Sequence, residues 1–128
     1  MALFENSGSW GVHLWLASGL LFVQFAKRDY LSTQHLNHTP LKPEDGWKFV
    51  GASYDQATGD AKLWVDGKAV QTVNVGANLQ LATQDNVRMG ATVRDGRYLK
   101  GKIAQMQVYN VSLTQEQIKL VKDRTQVG

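Results

Sequence analysis

At 128 residues, 43% of them hydrophobic, the chain is long enough to bury one core and too apolar to stay disordered. It has no run of about 18 apolar residues, which excludes a transmembrane helix. It has no cysteine, which excludes disulfides, zinc–thiolate sites and thiol catalysis, and its formal charge of +3 is modest.

The start, Met1-Ala2-Leu3-Phe4, lacks a basic region followed by an apolar one, so no signal peptide is read there. Residues 9–16 alternate Trp10, Val12, Leu14 and Leu16 against Gly11, His13 and Trp15, the period of a half-buried strand. Ala17-Ser18-Gly19 turns, residues 20–26 form a second strand, and residues 27–29 turn again. Residues 30–38 alternate but are polar enough to predict an edge or surface strand. Residues 39–46 hold both prolines, Pro40 and Pro43, and are expected to be a loop. Asn37-His38-Thr39 and Asn110-Val111-Ser112 are two glycosylation sequons, compatible with secretion.

The stretch 47–75 organises the rest. Residues 47–55 put Lys48, Val50, Ala52 and Tyr54 on one strand face. A turn at 56–59 ends in Gly59, and residues 60–66 follow with Ala61, Leu63 and Val65 on one face. Asp66-Gly67 is a strong hairpin signal, because a type I′ turn needs positive φ at both central residues. Residues 68–75 return as a third strand, so two consecutive tight hairpins make an antiparallel meander. After a connection over 76–85, strands are predicted over 86–93 and 101–110, separated by a loop with Gly96 at its tip. Thr114-Gln115-Glu116-Gln117 fits a capping box, which predicts one helix with Ile118 and Val121 on one face. Eight short strands at turn spacings of about 8–12 residues predict an all-β fold: an antiparallel β-sandwich or jelly roll with one short C-terminal helix, a single domain over 1–128.

These residues resemble the laminin G-like group within the concanavalin A-like lectin/glucanase fold. The resemblance rests on Trp47, Ser53-Tyr54-Asp55, Gly59, Leu63-Trp64-Val65-Asp66-Gly67, Arg88-Met89-Gly90, Gly101-Lys102-Ile103, Val108-Tyr109-Asn110 and Leu113-Thr114-Gln115-Glu116-Gln117-Ile118, in order and at the family's spacing. It covers residues 47–120; residues 2–46 fit more loosely. Two departures stand out. Ala104 takes the place where family members often carry an acid, and the family's first one or two strands are missing or replaced. The resemblance implies secreted, extracellular, non-catalytic recognition of glycans, heparin-like chains or other matrix proteins, in some members through calcium at the sandwich rim. Domains of this kind also occur in invertebrate shell-matrix proteins, where the implied partner is calcium carbonate or chitin.

Catalysis finds little support in the residues themselves. A retaining glycosidase needs two carboxylates about 5–5.5 Å apart on one strand face. The three glutamates, Glu5, Glu44 and Glu116, lie outside the predicted strands, and no strand has acids two apart. His13, His35 and His38 have no nucleophile elbow near them, and His35 and His38 point to opposite faces of a straight strand. Calcium needs six to eight oxygens. Asp85 and Asn86, in a loop, are its better ligand pair. Asp55, Asp60 and Asp66 read equally as turn residues.

Charge concentrates in residues 88–102. Arg88, Arg94, Arg97, Lys100 and Lys102 face one acid, Asp95, for a local +4. Guanidinium matches carboxylate, sulfate or carbonate in a bidentate way, and Asp95 can face calcium. The charged stretch also reads as an ordinary solvated loop, and three functions follow: recognition of an anionic glycan or matrix surface, interaction with calcium carbonate mineral through mixed charges, or a structural protein-interaction domain whose open sheet edge pairs with a neighbouring segment of the parent protein. Nucleic acid fits poorly, because no exposed aromatics are interleaved with the bases. Among the tryptophans, Trp10, Trp15, Trp47 and Trp64 read as core or sheet-packing residues, with Trp15 and Trp64 the candidates for sugar stacking.

Overall fold

The fold is described from a computed structural model, which covers residues 12–27, 33–41, 44, 46–81, 99 and 101–124, with backbone only for 33–39. Six strands are defined: β1 (His13–Ala17), β2 (Leu20–Ala26), β3 (Thr33–Pro40), β4 (Val50–Tyr54), β5 (Asp60–Val65) and β6 (Lys68–Asn74). One helix, α1 (Gln115–Arg124), follows. The strands make two antiparallel sheets, β1-β2-β3 and β4-β5-β6. The expected antiparallel sandwich with one short C-terminal helix is therefore present.

Both short hairpins use the turn chemistry that the sequence signals. Asp66 and Gly67 have φ of 52° and 83°, and Ser18 and Gly19 have 51° and 76°, the positive pairs that match strand twist. Period-two alternation then sorts the side chains. Val12, Leu14, Leu21, Val23 and Phe25 from the first sheet meet Ala61 and Leu63 from the second. Val50, Ala52, Tyr54, Val65 and Val73 pack against that cluster, so each sheet gives one apolar face to one core. Leu21, Val23 and Leu63 are fully buried, each worth about 1.5–3 kcal/mol in apolar transfer. Across the core, the Phe25 and Tyr54 rings stand 6.4 Å apart and tilted.

The Tyr54 hydroxyl closes the end of this core. It donates to Gly76 O at 2.6 Å and accepts from Leu79 N–H at 3.0 Å, tying the chain after β6 to β4.

Two expectations about elements fail. Residues 39 and 40 are strand, not loop: Thr39 and Pro40 pair with Leu21 and Leu20. Pro40 is tolerated because β3 is an edge strand and the proline is its last residue. The register slips between Leu21 and Phe22, so a bulge delivers the proline to the strand end. The second failure is residues 101–110, which form no strand. Gln105 has φ of 56°, which breaks the extended backbone. Ile103, Val108 and Tyr109 are exposed rather than shared between two faces. The predicted strand over 86–93 lies outside the described residues.

α1 begins as its sequence dictates. Gln117 N–H donates to Thr114 Oγ1 at 3.2 Å, and Thr114 N–H donates back to Gln117 Oε1 at 2.9 Å. Ile118 is its buried residue. The helix lies along the outer face of the second sheet. Ser112 to Gln115 share a cleft with Asp60 and Lys62 at one end, and Lys119 and Lys122 meet Gly67 at the other. Trp64 lies between those two points on the same side of β5 as Lys62.

Candidate functional site

Most of the predicted binding residues, Arg88, Arg94, Asp95, Arg97 and Lys100, and the predicted calcium pair Asp85 and Asn86, lie outside the described residues. Lys102 is described and exposed, in the irregular segment before α1. Among the described residues no group of three His, Asp or Glu side chains is placed to hold a metal ion.

The three aspartates of the meander hold turns. Asp55 Oδ1 accepts from Ala57 N–H at 2.9 Å, an Asx turn that starts the β4–β5 connection. Asp60 Oδ1 accepts from Asn74 Nδ2 at 3.1 Å, across to β6. Asp66 does the most. Its Oδ1 accepts from Phe49 N–H at 3.2 Å, while its own N–H donates to Phe49 O at 2.7 Å. Its Oδ2 accepts from Lys48 Nζ at 3.0 Å. Partial burial alone would push the Asp66 carboxyl up. The hydrogen bonds from Lys48 and Phe49, with the positive charges of Lys48 and Lys122, outweigh that and hold it below the usual carboxylate value.

A depressed folded-state value favours the ionised form in the native protein. The stabilisation is present above the ordinary carboxylate range and is lost as pH falls through the folded value. Asp66→Asn tests this while keeping a residue that accepts positive φ. Because the pair is half-exposed, the variant should lose under about 1 kcal/mol at neutral pH. The gap to wild type in urea denaturation should shrink below about pH 4. A gap that grows on acidification contradicts the assignment.

The tryptophans divide. Trp64 is only 2% exposed, and its indole N–H donates to Ser53 Oγ at 2.9 Å. Lys62 Nζ lies 5.6 Å from the ring centroid, a cation–π distance. No sugar can stack on a face so covered. Trp15 stacks between His13 and Phe22, at 4.7 and 5.2 Å, on the outer face of the first sheet. Trp47, read as a packing residue, is instead 45% exposed. It precedes the start of β4 and so escapes the sheet's alternation.

One cleft, of about 280 Å³, lies beside the β4–β5 turn. Asp55, Thr58, Asp60 and Lys62 form one wall, and Ser112 to Gln115 the other. Its two carboxylates accept the hydrogen bonds described above, Asp55 from the turn and Asp60 from Asn74, and so help to hold the scaffold.

Two antiparallel sheets face each other across one core, the arrangement of a β-sandwich. The model of the concanavalin A-like lectin/glucanases superfamily, of laminin G-like type, matches residues 1–119, and the chain belongs to that family. The match takes in the first 46 residues, where the sequence resemblance is looser. Comparison with curated proteins and with solved structures gives no match. Domains of this family are generally non-catalytic binding modules for glycans or matrix proteins, and are usually extracellular. No helix among the described residues is long and apolar enough to cross a membrane.

Proposed function

We propose that the chain is a non-catalytic, secreted matrix-binding module that recognises an anionic glycan or matrix surface through Arg88, Arg94, Arg97, Lys100 and Lys102. The observation that carries this is charge asymmetry. Residues 88–102 hold +4, so with a total of +3 the rest of the chain nets −1. A cationic segment on a near-neutral body steers polyanions toward one place, and does so less as salt rises. Arg94→Ala combined with Arg97→Ala should elute from immobilised heparin at clearly lower salt than wild type. Unchanged elution rejects the reading.

A second reading rests on Asp95, set between Arg94 and Arg97. A mixed-sign cluster matches an ionic lattice better than it matches a pure polyanion. On that reading the domain acts in a shell matrix and alters calcium carbonate crystal growth. Growth unaltered by the protein, where heparin retention persists, leaves the glycan reading alone.

A further inference from the structure

The two glycosylation sequons of the chain are treated unequally by the fold. Asn37 lies inside β3, where its backbone pairs with Phe22 of β2. Thr39, which completes that sequon, pairs with Leu21 in the same ladder, and Pro40 follows it. Proline holds the residue before it in an extended conformation. The first sequon is therefore built into a sheet. Asn110 stands at a bend in the irregular segment before α1 and is exposed. Ser112, which completes the second sequon, is half-buried on the wall of the cleft beside the β4–β5 turn. Neither the Asn110 amide nor the Ser112 hydroxyl makes a hydrogen bond among the described residues. Val111 and Leu113 put no proline within or after this sequon. An exposed, irregular segment is where an acceptor asparagine is usable.

The surroundings of Asn110 give a second reason. Val108, Tyr109 and Val111 lie within two residues of it and are 48–64% exposed. The Tyr109 hydroxyl donates to Gln107 Oε1, so that polar group is already engaged within the segment. Scattered exposed apolar residues are ordinary, but three around one position make a strip that self-associates unless something covers it. A glycan is bulky and solubilising, and one attached at Asn110 is anchored beside all three side chains.

We propose that Asn110 is a site of asparagine-linked glycosylation, and that its glycan covers Val108, Tyr109 and Val111. The co-reactant is an oligosaccharide carried on a lipid diphosphate. A bond forms from Asn110 Nδ2 to the anomeric carbon of the first sugar, and the bond from that carbon to the phosphate oxygen breaks. The lipid diphosphate leaves with the electron pair, and the amide nitrogen gives up one proton. The inference rests on the secreted reading above, because this chemistry belongs to the secretory route, and it is independent of the ligand.

The chain is carried into the secretory pathway of animal cells by an added leader, and read in cell extract and medium together. It should migrate slowly in gel electrophoresis, and faster after treatment with an amidase that removes asparagine-linked glycans. Asn110→Gln and Ser112→Ala should each abolish that shift, and Asn37→Gln should keep it. No shift in the wild-type chain, or a shift that persists in Asn110→Gln, overturns the assignment. Because the leader is supplied, such a failure counts against Asn110 and not against the secreted, matrix-binding reading, which heparin elution tests. Asn110→Gln should also self-associate in sedimentation at concentrations where the glycosylated protein does not. Equal association of the two overturns the covering role.

Discussion

Gly59→Ala should destabilise the domain by about 3–4 kcal/mol, seen as a lower urea midpoint at unchanged m value. Two effects add. Gly59 has φ of 85°, where any Cβ carries about 1–2 kcal/mol of strain. A Cβ there would also lie 2.5 Å from Gly76 C, 2.6 Å from Ala77 N and 2.9 Å from Gly76 O. These are backbone atoms, and the backbone is pinned on every side. Val75 N–H donates to Gly59 O at 2.9 Å, and Asn78 N–H to Gln56 O at 2.8 Å. Gly76 O accepts from Tyr54. Relief requires breaking one of those bonds. Gly19→Ala is the control, because Gly19 has φ of 76° with nothing within 4 Å of its Cβ position. It should lose about 1–2 kcal/mol, from backbone strain alone. Equal losses at the two glycines would mean that the chain after β6 is not held as described.

That contrast marks what the sequence can and cannot disclose. Both hairpins and the capping box are local: two or three adjacent residues set the φ values and the bonds, and Ser18-Gly19, Asp66-Gly67 and Thr114–Gln117 follow their chemistry. Gly59 is readable as a turn glycine, but the approach of Gly76 is not, since 17 positions separate them and only folding brings them together. Period-two alternation places Ala61, Leu63 and Val65 on the core face correctly. It is silent on whether the opposite face meets water or a helix, and so leaves Trp64 open. Residues 101–110 mislead because their apolar residues suit a strand while Gln105 takes positive φ. The arginine segment is legible as charge alone; its geometry lies outside the described residues.

Trp64→Ala should lose about 3–5 kcal/mol, the range for a large aromatic removed from a packed site. Alternation alone makes Trp64 an outward residue and a candidate sugar platform. The fold reverses that reading. α1 starts beside Lys62 and ends against Gly67, and Trp64 lies between them, 2% exposed. Its indole N–H, bound to Ser53 Oγ, satisfies the polar atom that burial would otherwise penalise. Trp64 is therefore a packed scaffold residue, and its removal leaves a cavity beside β5. Trp64→Phe separates the two contributions: most ring volume stays and the donor goes, for a loss of about 1 kcal/mol. A stacking platform predicts the opposite pattern, with glycan affinity lost at unchanged stability. Denaturation and heparin binding measured on both variants discriminate. Loss of binding in Trp64→Phe without a drop in melting temperature would return this residue to the ligand and remove it from the scaffold.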